Sequence, residues 1–176
     1  MRHICSAVTL AMLSACASNP PATAPQSGSI LDGKSIGWVT IAAPRNDISK
    51  GQSMSADFKD NDGQIITGPL QNIVECDTAR TSCRHAVVQT IVTINGKQAA
   101  SGQLEVSGQI RTRLGRSLTD VQTTAGFSNV LTKSLPDEIP TFPDADTTTA
   151  YVITLEPGES KTLEGEHGVK VVFQSK

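Results

Sequence analysis

The chain has 176 residues, with 15 basic and 17 acidic side chains and a formal net charge of −2. That length suits one domain and is long enough to bury a real core, while the lack of any basic cluster argues against nucleic acid as a partner. Aromatics and stretches of Ala, Leu, Glu and Lys are scarce beside plentiful Thr, Ser, Gly, Val and Gln, a mix that points to β structure.

At the N-terminus, Arg2 precedes an apolar run from Ile4 to Leu13, and the run ends at Leu13-Ser14-Ala15-Cys16. A charged segment, a short apolar run and a small-residue cleavage zone make an export signal. The tetrapeptide resembles the lipobox of bacterial lipoproteins, with Leu first, small residues second and third, and Cys last. The resemblance implies that residues 1–15 are removed, that Cys16 receives diacylglycerol, and that its new amine is acylated. Two or more acyl chains anchor a protein stably, so the membrane itself is one implied partner. The apolar run is far shorter than the roughly 20 residues a transmembrane helix needs. Ala17 stands where an Asp favours inner-membrane retention in enterobacterial lipoproteins. The implied address is therefore the outer membrane, with the domain facing the periplasm. An ordinary secretory signal with an incidental cysteine is the alternative.

Residues 16–29 are rich in Pro, Ser and Ala and nearly free of bulky apolar side chains. Such a segment cannot bury enough surface to offset its ordering entropy, so it reads as a flexible tether to a domain over 30–176. Cys5 leaves with the signal and Cys16 is taken by lipid. The remaining pair, Cys76 and Cys83, sits in an oxidising compartment and is expected to form a disulfide. A metal reading would need further ligands close by, and only His85 is near.

The strands come in order. Ile36 to Ala42 is the first, ended by Pro44, and Trp38 within it is expected in the core. Ser53 to Lys59 alternates, with Met54, Ala56 and Phe58 on one face. Asn61-Asp62-Gly63 predicts a hairpin returning through Gln64 to Thr67. Gly68-Pro69 interrupts that strand, and Leu70 to Cys76 resumes it. Ala86 to Ile94 carries Ala86, Val88, Thr90, Val92 and Ile94 on one face. Asn95-Gly96 predicts the next hairpin turn, into a strand with Leu104, Val106 and Ile110 inward and bulges at Gly102 and Gly108. Ser117 to Leu131 reads as a strand, although Leu118, Val121 and Ala125 also make a helical stripe. Tyr151 to Leu155, Ser160 to Leu163 and Val169 to Phe173 close the domain, with a type II turn at Glu156-Pro157-Gly158-Glu159. Eight or nine short strands at regular spacing predict an all-β fold, an antiparallel β-sandwich, with an immunoglobulin-like form in view and a barrel as runner-up.

Motifs for chemistry fall short. Gly51-Gln52-Ser53-Met54-Ser55 has Ser where a nucleophile elbow needs its last Gly, and a strand follows instead of a helix. Asp60-Asn61-Asp62-Gly63 aligned to a calcium loop puts Pro69 where the final carboxylate belongs. His85 and His167 are the only histidines after the signal, with no carboxylate partner at a ligand spacing. No cofactor fingerprint occurs, so the expectation is a protein that is not an enzyme and holds no cofactor.

The longest stretch without a period is Lys133 to Ala150, with Pro136, Pro140 and Pro143 among Asp137, Glu138, Asp144 and Asp146. Long loops in compact domains are often functional. Here the acidic frame and Phe142 form a candidate contact for a basic protein surface. Phe142 tucked into the core, under a solvated crossover, is the competing reading. The expected function is a structural or adaptor module of an envelope assembly, for secretion, pilus or envelope maintenance. The runner-up is a binding lipoprotein for a small ligand, a glycan or a toxin.

Overall fold

β-Branched residues alternating with polar ones produce strands throughout the domain. The computed structural model describes residues 34–44, 51–60, 63–124 and 127–176. The signal segment, Cys16 and the tether over 16–29 lie outside the described residues. One sheet has the order β10-β11-β1-β2, built from β1 (Ser35–Ala42), β2 (Ser53–Lys59), β10 (Ser160–Glu164) and β11 (Lys170–Ser175). The other has the order β3-β5-β6-β9, from β3 (Gly63–Thr67), β5 (Cys83–Gln98), β6 (Leu104–Gly115) and β9 (Ala145–Leu155). β4 (Gln71–Cys76) continues the line of β3 along β5. β7 (Ser117–Thr124) and β8 (Phe127–Ser134) pair with each other as a separate hairpin. Among the described residues all pairings between strands are antiparallel, and the strand count, about eleven, exceeds the eight or nine expected.

The two sheets close on a single core. Val39, Ile41, Phe58, Val171 and Phe173 come from one, and Val88, Val92, Ile94, Leu104, Val106 and Leu155 from the other. Burying each such side chain is worth roughly 1.5–3 kcal/mol. Phe173 packs edge-on against Phe58, with ring centres 6.5 Å apart, and tilts against Tyr151 at 5.0 Å. On the opposite face of β5, Val87 is also buried, because the β7–β8 hairpin covers it with Leu118, while Leu135 just beyond β8 completes the small cluster. Gln89 lies beside it, also buried, and its Oε1 accepts a bond of 2.9 Å from Arg113.

Several local expectations give way to this packing. Trp38 is 43% exposed on the outer face of β1, because alternation sends Val39 and Ile41 inward; the Lys176 ammonium sits 4.8 Å over its ring. Asn95-Gly96 makes no turn, since β5 runs straight on to Gln98. A Cβ at Gly96 would stand 2.9 Å from Ile36 and 3.1 Å from the Phe58 ring, so this glycine makes room for the core. The hairpin closes at Ala99–Gln103 instead, with Gly102 at φ +89°. Gly102 is thus a turn residue. Gly108 lies in unbroken register with Ile94 on one side and Tyr151 on the other, so neither makes a bulge.

The Asp62-Gly63 hairpin is also absent as a pairing. β2 bonds to β1 and β3 bonds to β5, so the connection passes from one sheet to the other. Asn61 and Asp62 lie outside the described residues. Burial of Phe58 between the sheets outweighs the local turn preference. The described residues of Ser117 to Leu131 are strand, but divided in two as β7 and β8. The irregular segment is shorter than expected: β8 ends at Ser134 and β9 begins at Ala145. Threonine fills both faces of β9 from Thr147 to Thr149, which erased the alternation without removing the β preference. The type II turn at Glu156–Glu159 is present, with Gly158 at φ +78° and the Glu159 N–H on the Glu156 carbonyl at 2.9 Å.

Candidate functional site

The site is built on one end of β5. Cys76 and Cys83 are register partners at the ends of β4 and β5, and a disulfide joins them. Between them the Asp77 carboxylate accepts the Thr81 hydroxyl at 2.7 Å and its N–H at 2.8 Å. These bonds hold that carboxyl below its ordinary value.

Two residues past the disulfide, His85 docks the loop of residues 135–144. Its N–H donates to the Pro140 carbonyl at 3.0 Å, and its own carbonyl accepts the Phe142 N–H at 3.0 Å. Arg116 holds the other side. Its guanidinium donates to the carbonyls of Pro136 and Ile139 and to Thr141 Oγ1, while its N–H donates to Asp144 at 3.3 Å. A half-buried cation thus fills the inside of the loop. Pro136–Ile139 forms a turn closed at 3.2 Å, with Asp137 and Glu138 exposed at its crown.

The five residues grouped by sequence therefore divide. Asp137 and Glu138 form the crown, and among the described residues neither has an ion-pair partner. Phe142 is partly buried against the main core, and its ring tilts against His167 at 5.1 Å. Asp144 closes the loop on Arg116. Asp146 belongs to β9, not to the loop, and forms a two-pronged pair with Arg111, 2.7 Å at Nε and 2.5 Å at Nη2. The Arg111 guanidinium holds its carboxyl below the ordinary value.

Beside the loop lies a cleft of about 460 Å³. Val74, Leu135, Pro136 and Ile139 supply its apolar wall, and His85 and Lys133 are among its polar groups. Lys133 is steadied by its bond to the Leu70 carbonyl, 3.3 Å. Sequence reasoning missed Arg116, Ile139 and Val74. Each acts across twenty or more residues of chain, and no local pattern marks such contacts.

The remaining candidates are scattered. Ser53 is exposed at the start of β2, with Ala42 opposite and no helix behind it. His167 meets Glu75 at 2.9 Å, away from His85's cleft face. Among the described residues, no three His, Cys, Asp or Glu side chains stand together as a metal site, and no helix is long and apolar enough to cross a membrane. Comparison with known proteins finds no matching family, no similar curated protein and no similar solved structure.

Proposed function

We propose that this chain is a bacterial lipoprotein, anchored at the outer membrane through Cys16, whose periplasmic β-sandwich serves as an adaptor in an envelope assembly. The observation that carries it is Leu13-Ser14-Ala15-Cys16 behind an Arg-bearing apolar run. The Cys76–Cys83 bridge supports it, because disulfides persist in exported proteins. The partner contact is the crown Asp137-Glu138, presented on a loop that Arg116 and His85 hold in one shape. A preformed loop loses little freedom on docking, and its carboxylates suit a basic surface. Phe142, Asp144 and Asp146 hold the loop and its root.

Two experiments test the two halves of this reading. Cys16→Ser should move the protein from the membrane to the soluble fraction; unchanged partitioning and unchanged mass defeat the anchor. Asp137→Lys with Glu138→Lys should remove the partner from a pull-down of gently solubilised envelopes and leave melting unaltered. A partner retained through that charge reversal defeats the crown as contact.

The cleft favours a second reading, a binding lipoprotein for a small ligand or glycan, since its volume falls in the range of ligand sites. Ile139→Trp, which fills the cleft while the crown stays, separates the two: ligand binding should be lost and protein capture kept.

A further inference from the structure

The two sheets present four edges among the described residues, and three are guarded. β10 is five residues long and carries Lys161 and Glu164. β2 is seven residues long and carries Asp57 and Lys59. The β3–β4 line breaks at Gly68-Pro69, where proline offers no donor. Short length, charge and proline are the devices that keep sheet edges from pairing with other chains. β9 is open along its middle: it is eleven residues long, from Thr147 to Leu155 it holds no charge, proline or glycine of its own, and the Lys161 ammonium caps only its far end, at the Thr154 carbonyl. Its one charge, Asp146, is held by Arg111.

Two contacts fix which backbone groups of β9 face outward. The Gln109 N–H reaches Thr93 Oγ1 on β5 at 2.9 Å, so Gln109 turns away from its β9 partner, Ala150. The Thr154 carbonyl accepts Lys161 Nζ from the other sheet, so Thr154 also faces away from β6. Antiparallel alternation then aims the N–H and C=O of Thr148, Ala150 and Val152 off the open edge. The side chains of these three are exposed, Val152 at 73%.

That edge is complementary to itself. With a second copy laid antiparallel and Ala150 on the two-fold axis, Ala150 meets Ala150 and Thr148 meets Val152. At each end Asp146 comes beside Thr154 of the other copy, where the Lys161 ammonium sits. Small side chains fall on the axis, β-branched pairs flank it, and opposite charges close both ends. We infer that β9 is a dimerisation edge that joins two copies of this chain into one continuous sheet. A two-fold interface of this kind uses the same surface on both copies, and it stands whether or not the anchor and crown readings hold.

The test uses the full chain in mild detergent, by sedimentation equilibrium. The native protein should show the protein mass of two chains. Ala150→Lys and Ala150→Glu should each weaken association by roughly tenfold or more, because like charges then meet on the axis. Mixed together, the two variants should recover it as a heterodimer, an outcome that requires residue 150 to face itself. Ala150→Pro, which removes an outward donor, should lose the dimer and melt as the monomeric Ala150→Lys variant does. A monomeric native chain, undiminished association in any of these variants, or no recovery on mixing overturns the inference. So does loss of an envelope protein on Ala150→Lys from a chain that is itself monomeric, since the occupant is then another protein.

Discussion

Tyr151 lies opposite Gly108 and reaches past it to the Thr93 carbonyl on the next strand, 2.8 Å away. The glycine is what permits this, since a Cβ there would stand 1.9 Å from that carbonyl. Burial lifts the Tyr151 hydroxyl well above its ordinary value. The unfolded chain therefore releases that proton first. The hydroxyl's contribution is complete below about pH 10 and is lost as pH rises beyond it. Tyr151→Phe should cost about 1 kcal/mol at neutral pH and show a shallower fall in stability above about pH 10, as measured by denaturant titration. Phe142 is tested by truncation. Because it is only partly buried, Phe142→Ala should cost about 2 kcal/mol, below the roughly 3–5 kcal/mol of a fully enclosed phenylalanine. Melting of the two forms checks it. Which residues face inward was legible wherever strands alternate, as at Met54, Ala56 and Phe58. It failed at Trp38, where size suggested the core but the parity of Val39 and Ile41 had already assigned it to the surface.

The β7–β8 hairpin is the element least tied to the rest. Its hold on the sandwich is a cluster of Leu118, Leu135 and Val87 with Leu70 alongside, and the bonds from Arg113 to the Thr119 carbonyl and from Lys133 to the Leu70 carbonyl. Val121 and Val130 pair across it with 60% and 58% of their surface exposed, so they add little to that hold. Leu118→Ala should cost about 2–3 kcal/mol. Hydrogen exchange should quicken in β7 and β8 while β5 and β6 stay protected; uniform quickening would show that the hairpin is integral to the core. The hairpin itself was half legible. Its residues read as strand, but nothing in their order announced a reversal between β7 and β8. The opposite error occurred at Asn95-Gly96 and Asp62-Gly63, where good turn chemistry is present and the pairing lies elsewhere. A turn motif records what the backbone tolerates, and the choice among tolerated shapes falls to contacts such as Phe58 on Gly96, which span tens of residues.

At the scale of the molecule, the Cys76–Cys83 bridge closes a short loop, and the loop-closure argument assigns such a cross-link about 2.5 kcal/mol. Reduction should lower the denaturation midpoint accordingly, with free thiols titrating only after reductant is added; equal midpoints in both states would make the bridge energetically silent. The sandwich as a whole was legible, because its signal is summed over many strands, whereas Arg116 and the cleft exist only after the chain has closed on itself. The sheet order β10-β11-β1-β2 has a further consequence for how the protein comes into being. The earliest strand of the described domain lies against the latest, with Val39 opposite Phe173 and Ile41 opposite Val171. A chain synthesised from its N-terminus holds β1 ready long before 170–175 appear, and contacts of such separation form late. Until then β1 lacks one of its two strand neighbours. A chain cut short within β11 therefore loses the centre of this sheet, and the domain closes only once 170–175 are in place.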